Sequence, residues 1–222
     1  TLSSQALKEG YKAEYLVDAG LCLRRENSQE IYDRFFDRVM FPIHSLSGRV
    51  VAFGGRTLKT DKSVAKYVNS PETEIYIKRQ NLYGLFQAKS AIVKNSKCIL
   101  VEGYADVISM HQSGIENVVA SSGTSLTVEQ IRLIHKFTDN VTIMYDGDSA
   151  GIHAALRGIG LVLKEGMNVK AALFPDGEDP DSYARKHSQT ELEQFLESAA
   201  EDFIDFKYRI LAADENLERD PI

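Results

Sequence analysis

Hydrophobic and polar positions follow two rhythms along this chain. From about residue 88 onward, short apolar runs alternate with stretches of helical spacing. The pattern predicts strands over 98–101, 117–120, 141–145 and 169–174, with helices over 105–112, 128–137 and 149–164 between them. Thr127 is placed as the N-cap of the second helix, with Glu129 and Gln130 in its first turn. Strands separated by helices of that length imply βαβ units and a mostly parallel sheet. From Pro180 the spacing is helical again, over 191–200 and 203–211. Ahead of the alternating part the texture differs. Residues 1–37 read as helical, with Tyr11, Tyr15 and Leu16 on one spacing and Gly20 as a C-cap. Residues 39–43 and 49–53 are β-like runs split by Ser45-Leu46-Ser47-Gly48, a hairpin signal, after which Gly54-Gly55-Arg56 is expected to turn the chain. A polar loop over 59–70 carries Lys59, Lys62 and Lys66. The fold class is thus α/β: a mostly parallel sheet flanked by helices, preceded by a mixed α+β basic subdomain and followed by a helical segment. Its divisions fall at 1–84, 85–181 and 182–222. There is no internal repeat, and the chain reads as a segment cut from a longer protein.

The apolar runs of the alternating part end in acid. Ile99-Leu100-Val101 runs into Glu102, and Ile143-Met144-Tyr145 runs into Asp146-Gly147-Asp148. The strand over 169–174 is followed by Asp176-Gly177-Glu178-Asp179-Pro180-Asp181. In a parallel α/β sheet these positions share the carboxyl edge, where ligands bind. Glu102 has no structural need to be acidic. Asp106, four residues on, lies in a helix's first turn, where an acid also suits the helix dipole. Asp148 could equally be an N-cap, and the third cluster could be an exposed acidic loop with Asp179 or Asp181 capping a helix. Three strand ends in acid favour one shared cation site with room for two ions. Mg²⁺ suits it, being a hard cation that takes a few carboxylates and keeps water or phosphate oxygens in its other positions. The pattern points to phosphoryl-transfer chemistry.

Composition narrows the setting. An apolar fraction of 43% and a charged fraction of 26% are those of an ordinary globular protein. No apolar run approaches the roughly 20 residues of a membrane helix, and the N-terminus has no signal-peptide pattern, so a cytoplasmic protein without a membrane partner is expected. Cys22 and Cys98 stand apart without metal-ligand spacing, and Cys98 is expected in the core. The net charge of −6 conceals an asymmetry: residues 31–98 hold 12 basic and 5 acidic side chains, residues 99–222 hold 10 and 22. A segment that grips a polyanion beside one that holds metal fits this division; so do two differently solvated surfaces.

Glu102-Gly103-Tyr104-Ala105-Asp106, Asp146-Gly147-Asp148-Ser149-Ala150-Gly151 and the Asp176 to Asp181 run together resemble the three acidic motifs of the Toprim domain. That domain also serves topoisomerases and nucleases, so the flanks decide. Tyr32 to Ile43, Gly48-Arg49-Val50, Phe53-Gly54-Gly55-Arg56 and Lys66 to Thr73 resemble the bacterial replicative primase of the DnaG type. So do Leu82-Tyr83-Gly84-Leu85 and Ala120 to Ser125. The resemblance runs from about Tyr11 to Leu211. It implies an RNA polymerase core that makes RNA primers on single-stranded DNA from ribonucleoside triphosphates, using two or more Mg²⁺ or Mn²⁺ ions. It also implies a replicative helicase as partner, through a domain absent here, and a zinc module whose Cys/His pattern this chain lacks. On that basis Asp146, Asp148, Asp179 and Asp181 are metal ligands, with Glu102 a ligand or proton-transfer partner and Asp106 a ligand or its neighbour. Glu102, Asp146 and Asp148 carry catalysis. Arg56, Lys66, Asn69 and Lys78 match positions that contact template or nucleotide phosphates. Tyr67 is a candidate for base stacking, Tyr83 for core packing, and Ser121-Ser122-Gly123-Thr124 either shapes the pocket or is an ordinary turn. The rival readings are a Toprim nuclease or topoisomerase fragment, and a non-catalytic nucleic-acid-binding module.

Overall fold

The computed structural model describes residues 1–61, 63–123, 125–175 and 178–213; Lys62, Thr124, Asp176, Gly177 and the tail from residue 214 lie outside the described residues. The chain divides into two compact units, Thr1–Asn81 and Leu82–Ile222.

In the first unit, helix α1 (Leu2–Lys8) starts on Thr1, whose side chain accepts from the Ser4 amide, and α2 (Ala13–Asp18) ends just before Gly20, which takes a left-handed φ of +69°. Helix extends no further, which corrects the helical reading of 1–37. Strands β1 (Cys22–Arg24) and β2 (Ile31–Asp33) pair antiparallel. The reversal uses Asn27 at φ +56°, a conformation Asn adopts more readily than most residues. The Asp33 carboxylate accepts from the amides of Leu2 and Ser3, each at 2.8 Å, and so ties the hairpin to the start of α1.

A second correction concerns Gly54-Gly55-Arg56. Strands β3 (Arg38–His44) and β4 (Val50–Thr57) pair antiparallel straight through those residues, and β5 (Tyr67–Asn69) pairs along the other edge of β4. A Cβ on Gly55 would stand 2.7 Å from Phe35 Cδ1 and 3.1 Å from Arg38 Cδ. The glycine makes room for packing inside a strand rather than a turn. The loop expected over 59–70 is thus interrupted at Tyr67, where β5 begins. Register places Arg56 opposite Tyr67 and Gly54 opposite Asn69. Directly opposed residues share a face, so Arg56, Tyr67 and Asn69 stand on the same side of this sheet.

The second unit contains α3 (Leu85–Asn95), β6 (Cys98–Val101), α4 (Tyr104–Gln112), β7 (Val118–Ala120), α5 (Val128–His135), β8 (Asn140–Tyr145), α6 (Ser149–Lys164) and β9 (Asn168–Leu173). It continues with α7 (Pro180–Lys186), α8 (Gln189–Ser198), the short β10 (Glu201–Asp202) and α9 (Phe203–Ala213). Its sheet has the order β10-β9-β8-β6-β7, parallel except where β10 joins β9. This is the α/β architecture that the alternation predicts, and β6 and α6 have the predicted bounds. Sheets covered on both faces need continuous apolar strands. Accordingly Cys98, Ile99, Leu100, Val101, Ile143 and Met144 are at most 1% exposed. Val107 and Met110 of α4 pack with Ile99 and Val101. On the opposite face, α6 comes so close that a Cβ on Gly158 would lie 3.0 Å from Ile143 Cδ1. Thr127 caps α5 with the Gln130 side chain bonding back to it, as its sequence signature predicts. Tyr83 stacks edge-on against Tyr104, centroids 4.7 Å apart, and packs against this core. Among the described residues no helix is long and apolar enough to cross a membrane.

Candidate active site

Because β6, β8 and β9 run parallel and adjacent, their carboxyl ends open on one edge. Glu102 follows fully buried Val101, and its carbonyl accepts from the Ser122 amide at 3.1 Å. Asp106, in the first turn of α4, accepts from the Gly103 amide at 2.8 Å. Asp146 follows β8. Asp148 caps α6 through Gly151 N–H at 2.8 Å, and Asp179 caps α7 through Ser182 N–H at 2.6 Å. Asp181 accepts from the Ser109 hydroxyl of α4 and pairs with Arg185 at 2.8 Å.

These six carboxylates share one electrostatic field. Burial, then repulsion from Asp146, Asp106 and Asp148, pushes Glu102 up to about 7 against a backbone hydrogen bond from Asp146. Burial also pushes Asp106 up to about 6, opposed by the Gly103 hydrogen bond and reinforced by Asp146, Asp179 and Asp181. Asp146 is raised by burial and by Asp179 and Asp148. Glu178 departs from this pattern: hydrogen bonds from Lys186 and Ser182 hold its carboxyl below the usual range, so it is neutralised locally. No Lys or Arg among the described residues lies within ion-pair distance of Glu102 or Asp146.

An all-oxygen donor set under mutual repulsion suits a hard divalent cation, which would supply the missing counter-charge. Among the described residues no three Asp, Glu, His or Cys side chains already close around one point. An ion here would complete its shell with water or phosphate oxygens, as Mg²⁺ commonly does.

The raised carboxyls set a pH dependence. The folded chain holds protons on Glu102 and Asp106 that the unfolded chain releases near 4.5 and 3.8. Their contribution is therefore full below about pH 4 and is lost as pH rises toward about 7. Carboxyls held low, such as Glu178 and Asp33, act below that window. Without divalent ions, and with the share of half-exposed Glu102 reduced by solvent screening, the chain should lose about 1–3 kcal/mol of stability between pH 5 and pH 8. Thermal melts in chelator across that range measure it; a flat profile would contradict the shared field.

The candidate phosphate contacts Arg56, Lys66, Asn69 and Lys78 belong to the first unit. Arg56 lies over the Tyr67 ring at 5.7 Å. The exposed Lys66 leads into β5, and Asn69 closes that strand. Lys78 opens a short 3-10 helix, its amide donating to Glu72 Oε1 at 3.0 Å. Ser121 and Ser122 are buried at the end of β7, with Ser122 left-handed at φ +57°.

A family profile described as the N-terminal domain of the DNA primase catalytic core matches residues 1–89, and a Toprim-like profile matches 99–184. The RNA polymerase domain of Mycobacterium tuberculosis primase DnaG superposes with a TM-score of 0.86 at 32% identity, covering 96% of this chain and 71% of that one. The chain belongs to the DnaG-type bacterial DNA primase family. Within that family, a DnaG primase catalytic domain bound to single-stranded DNA superposes with a TM-score of 0.84 at 39% identity, covering 95% of this chain and 69% of that one. The DNA primase of Clostridium acetobutylicum is 45% identical over 210 residues, which is 94% of this chain and 34% of that protein. This chain thus spans about a third of the length of the curated primases it matches. The Toprim primase family is generally metal-dependent, which agrees with the chemistry of the acidic edge.

Proposed function

We propose that this chain is part of a primase catalytic core that joins ribonucleotides into RNA primers on a single-stranded DNA template. The carrying observation is the field shared by Glu102, Asp106, Asp146, Asp148, Asp179 and Asp181 at one edge of a parallel sheet. Glu102, Asp146 and Asp148 carry catalysis, and the six acids together hold two or more Mg²⁺ or Mn²⁺ ions. Bound there, such ions would stabilise charge developing on the phosphoryl oxygens. The protein's own part is to fix the donors. Asp148 and Asp179 are fixed by helix amides, Asp106 by Gly103 N–H and Asp181 by Ser109 and Arg185. Glu102 stands beside Asp146, where it shares an ion or takes up the proton leaving a 3′-hydroxyl.

In this reading Arg56, Lys66, Asn69 and Lys78 contact template or nucleotide phosphates. Backbone contacts of this kind hold any sequence. The shared sheet face of Arg56, Tyr67 and Asn69 supports it, with Tyr67 offering a ring for a base. The working divisions remain 1–84, 85–181 and 182–222, and a replicative helicase is the expected partner.

The test is extension of an RNA primer annealed to a DNA template, with labelled ribonucleotides, Mg²⁺ or Mn²⁺, and a Glu102→Gln control. Metal-dependent extension that disappears in the variant supports the reading. Template cleavage in place of extension would favour a Toprim nuclease, and metal-independent DNA binding alone a non-catalytic module.

A further inference from the structure

Beside Glu102, inside the second unit, lies a cavity of about 390 Å³ bounded by the end of β7, the end of β8 and one side of α6. Its polar wall carries Ser121, Ser125, Tyr145 and Arg157. Arg157 is the only Lys or Arg in that wall, and among the described residues no carboxylate lies within ion-pair distance of it. It stands nine residues after Asp148, or about 13 Å along the axis of α6. Its side chain borders the same cavity as Glu102 and the end of β8. Its charge is felt by the buried Tyr145 hydroxyl, which is hydrogen-bonded with Ser121.

The cavity wall therefore carries one member of the acidic edge, Glu102, together with a guanidinium and hydroxyls. A ligand suited to both has a phosphate that sits with cations at the carboxylates and further phosphates extending to the arginine. The guanidinium fork matches phosphate oxygens in a bidentate way. A polynucleotide backbone would need several cations in a row along a groove, whereas this pocket has one. We propose that Arg157, with the Ser125 and Tyr145 hydroxyls, forms the subsite for the β- and γ-phosphates of the incoming nucleoside triphosphate. The proposal rests on the nucleotidyl-transfer reading above. As the 3′-oxygen bonds to the α-phosphorus, the bond from that phosphorus to the bridging oxygen breaks. Pyrophosphate leaves with the electron pair, and the hydroxyl proton passes to solvent. Arg157 holds the leaving diphosphate as its charge grows.

Calorimetric titration of the chain with inorganic pyrophosphate in Mg²⁺ tests this, using Arg157→Ala and Arg157→Lys, each first matched to the parent by melting temperature. Arg157→Ala should weaken pyrophosphate binding about tenfold or more, Arg157→Lys less, and binding of a single-stranded DNA oligonucleotide should change less than about twofold. Unchanged pyrophosphate affinity in Arg157→Ala overturns the subsite. Weakened DNA binding with unchanged pyrophosphate affinity makes Arg157 a template contact and overturns it too. A parent chain that extends primers yet takes up no pyrophosphate overturns the subsite and leaves the proposed function standing. Selective loss of pyrophosphate binding in a chain that extends nothing would uphold the subsite while removing the proposed function.

Discussion

Asp146→Asn is expected to separate activity from stability, abolishing metal-dependent primer extension while raising the melting temperature of the ion-free chain. The substitution keeps size and backbone but removes one negative charge from the strand end where the field is densest. Asp146 repels both Glu102 and Asp106 and so pushes both carboxyls up, and it is itself raised by burial, Asp179 and Asp148. Neutralising it relieves repulsion on every side, so the folded chain in chelator at pH 8 should melt higher than the parent. The same change removes a donor that cations need, and extension should fall by about 10²–10³-fold or more. Melts in chelator and extension assays on one preparation check both halves. A variant that melts below the parent would show that Asp146 holds the fold together instead of straining it.

The second large effect concerns a residue with no chemistry of its own. A Cβ on Gly151 would lie 2.2 Å from the Asp146 carbonyl oxygen and 3.0 Å from its carbonyl carbon. Backbone cannot swing aside as a flexible side chain can. The Gly151 amide is also the donor that Asp148 caps. Gly151→Ala must therefore push the Asp146–Asp148 turn off the start of α6. It should cost about 2–4 kcal/mol of stability and lower extension by about 10²-fold, because ligand positions move by tenths of an ångström to an ångström. Gly160 on the same helix is the control, since a Cβ there meets nothing within 4 Å. Gly160→Ala should leave activity unchanged and stabilise the chain by about 0.5–1 kcal/mol. If both variants behaved alike, loss of helix flexibility rather than displacement of the acids would be the cause.

The parallel sheet was legible because its signals are local. Cys98 to Val101 is apolar without interruption, as a strand buried on both faces must be, and the acids that follow mark where it meets solvent. Thr127 and Gln130 form a cap that can be read within four residues. The first unit was less legible for the opposite reason. Strands β1, β2 and β5 have three residues each, too few to show a period. Asp33 is fixed by amides thirty residues away. Gly55 signals a turn locally but answers to the Phe35 ring. At the acidic edge, sequence located the carboxylates but not their neighbours. That Glu178 is occupied by Lys186, or that Asp181 is steadied by Ser109 72 residues earlier, depends on how α4 and α7 pack. Arg157 carries no signal of its own in the sequence; the pocket beside Glu102 gives it a setting.

Asp148 and Asp179 begin helices with the same oxygens that a cation would seek, and Asp106 grips the amide at the start of a third helix. Occupancy and helix fraying thus compete for shared lone pairs. Filling the edge with charge should register as a perturbation of three backbone amides, those of Gly103, Gly151 and Ser182. Those amides would serve as built-in spectroscopic gauges of how the acidic edge is loaded, legible in an amide spectrum with no substrate present.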